Sequence, residues 1–304
     1  MPDRGSAALF TPIRRGDRVA MIAPASPVEK ELLEKASDLL RSEGLEPVRG
    51  KFVEARTGYL AGGDADRAAD LIWAFGDDSI RAVLCARGGY GSSRLLPWLS
   101  FSRLRNQPKL FLGHSDTTFL HASFQSRLGW ITFHGPNLAD AGDAPDNVQA
   151  AVAALRGESR FEWDLGEEMI LREGAARGIL RGGNLTCFTH LVGTPYLPDL
   201  NGAILLIEDV GEPQYRLDRM FTHLRLAGHV NGLAGLVLGR FKDCGDVQRI
   251  HEMFVDQVRD LNIPVIAGLP CGHGAPNNVI PLGAIHAIDT SEGRFRSLGN
   301  PFLQ

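Results

Sequence analysis

The stretch "KLFLGHSDTTFLHASF", residues 109–124, decides how the chain is read. An apolar run, Leu110, Phe111 and Leu112, stops at Gly113; His114, Ser115 and Asp116 follow, and then Leu120, Phe124 and Leu128 recur every fourth residue. A buried strand, a tight turn and a helix with one apolar face account for that order. Ser115 stands at the point of the turn. Ser and Asp are preferred at helix N-termini, so the local pattern by itself favours a cap at Ser115 or Asp116. The same geometry suits a nucleophile, because a strand–turn–helix elbow exposes the side chain beside the first N–H groups of the helix. The segment G-H-S-D-T matches only the first half of G-x-S-x-G, so the standard hydrolase elbow is not met.

Outward from this turn, strands and helices alternate. "DRVAMIAPAS" (17–26) reads as a strand, and residues 29–44 as a helix with a stripe of Leu32, Leu33, Ala36, Leu39 and Leu40 and Gly44 at its C-cap. "LEPVRG" gives a second strand, and residues 63–77 a helix with Asp64 as its N-cap. "SIRAVLCARGGYG" (79–91) is a buried strand running into glycines, and "GWITFHGPN" (129–137) is one more strand. The alternation predicts a parallel sheet with helices on both faces, whose function collects at the carboxyl ends of the strands. Gly88–Gly91, Gly113–Asp116 and His134–Asn137 lie there. From about residue 139 the chain turns Ala-, Asp- and Gly-rich, and beyond it come short strands with glycine turns. Among these are "GAILLIEDVG" (202–211), "LAGLVLGRF", "IPVIAGLPCGHG" and a closing hairpin around residues 291–293. The expected division is an α/β domain over 1–140, a transition over 141–165 and a strand-rich α+β domain over 166–304.

Composition excludes several classes. The 304 residues are 44% hydrophobic and 22% charged, with a net charge of −4, so no basic excess points to nucleic acid or to an anionic membrane. No apolar run approaches the roughly 18 residues of a membrane helix. The N-terminus lacks the basic, apolar and small-residue succession of a secretory leader, so cytoplasmic residence is expected. Four scattered cysteines, Cys85, Cys187, Cys244 and Cys271, include no C-x-x-C pair, which argues against metal knuckles and a disulfide framework. No metal and no cofactor is expected.

Three further segments can carry chemistry. In "ILLIEDVGEP", Glu208 follows four apolar residues at the end of a buried strand, where a carboxylate must be paired or hydrogen-bonded. It can orient a histidine; Glu212, on the following turn, competes for that role, and Asp209 and Glu212 also read as loop or cap residues. In "GLPCGHGAPNN", His273 lies between glycines after an apolar strand, placed for access rather than packing, while Cys271 is a rival nucleophile without an elbow. In "ARGGYGSSR", the glycines match neither G-x-G-x-x-G nor a P-loop, and Gly88 and Gly89 read better as N–H donors to a bound oxyanion or peptide.

Taken in order, "ARGGYG" (86–91), "GHSD" (113–116), "IEDVGEPQYRLDRMF" (207–221) and "GLPCGHG" (268–274) resemble the LD-carboxypeptidases, or muramoyltetrapeptide carboxypeptidases. "IAPASP" (22–27), "GYLAGGDADRAADL" (58–71) and "RGGNLT" (181–186) fit as well, so the resemblance runs from about residue 13 to 290. It implies a Rossmann-like N-terminal domain carrying the serine and a C-terminal domain carrying the glutamate and histidine, often in a homodimer. It implies a Ser–Glu–His triad that maps onto Ser115, Glu208 and His273, with an oxyanion hole of N–H groups at Asp116 and Gly89. The implied reaction releases terminal D-alanine from a murein tetrapeptide. The family also includes microcin C self-immunity peptidases, which share the triad and cut a different amide. Two other classes compete: a non-catalytic peptide or small-molecule binding protein, and a nucleotide-dependent enzyme using the Gly88–Gly91 loop.

Overall fold

Residues 9–303 are described by a computed structural model. Two sheets organise them. The first has six strands, in spatial order Ile280–Leu282, Thr132–His134, Leu110–Gly113, Ile80–Cys85, Arg18–Ile22 and Glu46–Arg49. All pair in parallel except Ile280–Leu282, which runs antiparallel to Thr132–His134. The second has eight: Glu162–Asp164, Arg294–Ser297, Ile285–Asp289, Ala175–Asn184, Ile204–Val210, Gly235–Lys242, Val265–Ile266 and Ile170–Arg172. Its middle, from Ala175–Asn184 to Val265–Ile266, is parallel, and its flanks are antiparallel. The α/β class and the strand-rich second half expected from the sequence are both present.

The inner parallel strands of the first sheet are short apolar runs buried on both faces, as strands covered by helices must be. Arg18–Ile22 and Ile80–Cys85 are buried almost throughout, and Leu110–Gly113 entirely. The helices between them turn an apolar stripe to the sheet: Leu33, Ala36 and Leu40 from Lys30–Ser42, and Leu71, Ala74 and Phe75 from Asp64–Gly76. One buried cluster then joins the halves of the chain, with Phe75, Phe111 and Phe124 sharing it with Leu185, Phe188 and Phe221. No helix among the described residues is long and apolar enough to cross a membrane.

Some details differ from the sequence reading. The N-cap of Asp64–Gly76 is Gly63, not Asp64, and Asp64 instead pairs with Arg67 and Arg94. The apolar run "IPVIAG" holds only a two-residue strand, Val265–Ile266, because Gly268 at φ +74° turns the chain away towards the His273 loop. Ile280–Leu282, from the far half of the chain, closes the edge of the first sheet. Of the expected first domain, residues 1–8 lie outside the described residues.

Candidate active site

Ser115 follows the strand Leu110–Gly113 at φ +64°, a left-handed conformation that is sterically unfavourable for a residue with a β-carbon. Such strain costs about 1–3 kcal/mol and persists only where the surroundings impose it. Here a one-turn 3₁₀ segment, Ser115–Thr117, leads directly into the helix Thr118–Leu128. The expected helix cap is absent: neither segment has a side-chain cap hydrogen bond. The turn is packed against the glycine loop, and its side chains bond elsewhere, one across to the next segment and one back within the turn. Buried Asp116 accepts from the Ser92 N–H at 2.7 Å, and Thr117 Oγ1 donates to the His114 carbonyl at 3.0 Å. Ser115 Oγ makes no hydrogen bond among the described residues and is left partly exposed.

The glycine loop lies directly over this turn. A β-carbon on Gly88 would press against the Ser115 side chain, and Gly89 sits at φ +101° with no space for a β-carbon beside Ser26. Among the described residues the Gly89 N–H has no hydrogen-bond partner. The segments flagged around it hold it in place. Ser26, of "IAPASP", donates its N–H to the Gly88 carbonyl at 3.2 Å and accepts from the Tyr90 N–H at 3.1 Å. Arg67, of "GGDADRAADL", is fully buried and donates to the Pro24 and Gly91 carbonyls while pairing with Asp64.

Glu208 lies on the strand Ile204–Val210, register-paired with Asn184, and is 0% exposed. An isolated buried carboxylate would be unfavourable by several kcal/mol. Oε2 is satisfied by the His273 ring, whose Nδ1–H donates at 2.7 Å, and by the His273 main-chain N–H at 3.2 Å. Gly272, at φ +93°, allows that double contact: a β-carbon there would collide with the Glu208 carboxylate. Burial pushes the Glu208 carboxyl up, but the His273 charge and hydrogen bond, with His134 beside the other oxygen, outweigh it and hold the group below the usual carboxylate range. Burial likewise pushes the His273 imidazole down, and the Glu208 charge and hydrogen bond more than reverse this, so it is raised. His114, the residue before Ser115, packs edge-on against the His273 ring with centroids 4.9 Å apart. His114 stays neutral, because burial and the nearby His273 charge lower it to about 3.

The rival groups are elsewhere. Glu212 pairs with Arg216 at 3.4 Å, away from any histidine contact. Asp209 is used up by Asn184 at 2.8 Å and by the N–H and hydroxyl of Thr186, which explains the chemistry of "RGGNLT". Cys271 is fully buried, and burial raises its thiol far out of the reactive range.

The sequence compares directly with known proteins. Residues 19–135 match the LD-carboxypeptidase N-terminal domain and residues 177–288 the LD-carboxypeptidase C-terminal domain. The chain belongs to the LD-carboxypeptidase family. Within that family it is 39% identical over 290 residues to a probable murein peptide carboxypeptidase of Bacillus subtilis, covering 92% of this chain and 91% of the relative. The muramoyltetrapeptide carboxypeptidase of Oxalobacter formigenes superposes with a TM-score of 0.81 at 30% identity, covering 91% and 97% of the two chains. The microcin C7 self-immunity protein MccF superposes with a TM-score of 0.87 at 26% identity, covering 97% and 99%.

Several site residues carried no local signal. Asn277 is buried and accepts from the Gly272 N–H at 2.9 Å, and its own N–H donates to Asn147 Oδ1 at 3.0 Å. Asn147, on the helix Pro145–Leu155, also donates to the Gly274 carbonyl at 3.3 Å. The His273 loop is thus pinned on both sides by two asparagines. His134, at a strand end already marked as functional ground, contacts Glu208 Oε1 at 3.9 Å.

Proposed function

We propose that this chain is a serine carboxypeptidase that hydrolyses an L,D-amide bond, releasing terminal D-alanine from murein tetrapeptides. His273 Nε2 accepts the Ser115 hydroxyl proton as Oγ attacks the carbonyl carbon. The N–H groups of Gly89 and Asp116 receive the oxyanion of the tetrahedral intermediate. The imidazolium returns the proton to the D-alanine nitrogen, the C–N bond breaks, and a Ser115 ester remains. Water, deprotonated by His273, then cleaves that ester. Glu208 holds the Nδ1–H tautomer throughout and stabilises the imidazolium.

The observation that carries the reading is the 2.7 Å bond from His273 to a wholly buried Glu208, with the strained Ser115 turn packed on the same ring through His114. A buried acid on the far nitrogen of a partly exposed imidazole is the arrangement a serine requires of its base. The Bacillus and Oxalobacter relatives supply the substrate class. Ser115→Ala is expected to fold normally and to lose D-alanine release from a murein tetrapeptide by at least about 10³-fold. Undiminished release would end the assignment. The likeness to MccF favours a second reading, cleavage of a microcin C-type amide by the same residues. Turnover of an aminoacyl sulfamoyl nucleoside with none of the tetrapeptide would select it.

A further inference from the structure

Glu208 has two carboxylate oxygens, and the triad reading, on which this inference rests, employs only Oε2. Oε1 is buried and without a hydrogen-bond partner among the described residues. Facing it at 3.9 Å is Nε2 of His134. His134 is 0% exposed, and neither of its ring nitrogens has a partner among the described residues. Two orphaned buried polar atoms therefore face each other, where native interiors leave very few.

No other polar atom among the described residues is within hydrogen-bond distance of either, and the neighbouring histidines each have one ring nitrogen engaged elsewhere, His121 Nδ1 being itself unpartnered. His114 and His121 have ring centroids 6.0 and 6.2 Å from that of His134. Each has a ring nitrogen committed to a main-chain carbonyl, His114 Nδ1 to Gly135 and His121 Nε2 to Gly113. Asp209 is bonded to Asn184 and Thr186, and Asp140 acts on His273 from the 3₁₀ turn Leu138–Ala141. A water bonded to both atoms would hold them about 4.5 Å apart or more, so the gap is too narrow for a bridge and suits direct contact after a small rotation. The backbone of His134 is fixed by register pairing with Gly113 on one side and Ile280 on the other.

We propose that His134 is a positioning residue for the catalytic pair: its Nε2–H donates to Glu208 Oε1, clamping the carboxylate between two imidazoles so that Oε2 stays on His273 Nδ1. His134 exchanges no proton with substrate. Without it the carboxylate loses one donor, binds the His273 proton more tightly and rotates more freely.

The test compares D-alanine release and its pH profile in wild type, His134→Phe, His134→Gln and Ser115→Ala. His134→Phe is expected to lower kcat about 10- to 100-fold, the scale at which outer hydrogen-bond partners act. It should also move the acid limb of kcat/KM to higher pH, and His134→Gln, which keeps an N–H donor, should restore most of both. An unmoved limb in His134→Phe, or no advantage of Gln over Phe, overturns the proposal. If the Phe variant does not fold, nitrogen-15 histidine spectra of the wild type decide: a protonated Nε2 on His134 that shifts in Glu208→Gln supports it, and an unprotonated Nε2 overturns it. Full activity in Ser115→Ala would remove the triad reading itself. An inactive Ser115→Ala beside a His134→Phe of wild-type rate and profile would remove this inference alone.

Discussion

The turn that carries Ser115 and the loop that carries His273 are held in opposite ways. Ser115 is fixed by backbone: a strand ends, one 3₁₀ turn follows, and a helix begins, so an unfavourable φ of +64° is imposed by elements on both sides. His273 belongs to no helix or strand. Its loop is held by side chains, through Glu208 beneath it and Asn277 and Asn147 beside it. A serine turn set by the elements on both sides depends little on any one polar contact, whereas a histidine loop built from polar contacts is expected to shift when one of them is lost.

Glu208→Gln is the strongest way to press on that difference. It removes the charge that raises His273 while keeping the shape, and replacing the acid of a triad by its amide costs about 10⁴-fold in kcat. The acid limb should also shift. In the wild type His273 is raised, so kcat/KM is expected to rise with pH through a value above the ordinary imidazole pKa of about 6.5. With the carboxylate gone, burial dominates and the limb should fall to lower pH, opposite in direction to the His134→Phe shift. The linked stability has its own window. The depressed Glu208 contributes above its unfolded pKa and is lost as pH falls through its folded one. The raised His273 contributes below its unfolded pKa and is lost as pH rises through its folded one. A limb that stays in place in Glu208→Gln would contradict the electrostatic account.

Asn277→Leu tests the loop without touching the pair. It leaves the Gly272 N–H without its acceptor, a loss of about 1–3 kcal/mol in stability for a buried donor. Displacement of His273 by a fraction of an ångström should lower kcat by up to about 10²-fold, with KM little changed. A variant that loses stability and keeps its kcat would mean that Glu208 alone positions the histidine.

What was legible in the sequence follows the same contrast. The Ser115 turn could be read because periodicity changes within a few residues, from an apolar run to every fourth position. Glu208 was visible as an acid ending an apolar run, and His273 as a histidine between glycines. The supports of the His273 loop were not, since Asn147 and Asn277 meet across 130 residues of sequence and nothing near either announces the other. His134 was marked only as part of a strand end where function collects, with nothing to tie it to Glu208, and Ile280–Leu282 gave too short a run to mark a strand that crosses to the other sheet. The expected caps failed for a related reason. Asp64 and Asp116 have suitable chemistry for helix ends, but other partners take their carboxylates first: Arg67 on the same helix and the distant Arg94 for one, and Ser92 for the other.

Glu212 gives the smallest expected effect and the sharpest control on Glu208. From the sequence Glu208 was mapped onto the triad, and Glu212, four residues further on after the same apolar run, stood as its competitor. The strand carries Glu208 to its buried end, while Glu212 lies past Gly211 on the turn into the helix Gln214–Leu226, its carboxylate in a 3.4 Å contact with Arg216. Such partly exposed pairs contribute about 0–1 kcal/mol. Glu212→Gln should therefore leave kcat within about twofold and the acid limb unmoved, as surface substitutions generally do. Side-by-side pH profiles of the two Gln variants make the comparison. If the Glu212 variant lost activity on the scale of Glu208→Gln, a loop acid would be supporting the imidazole in solution, and the buried bond from His273 to Glu208 would be structural alone.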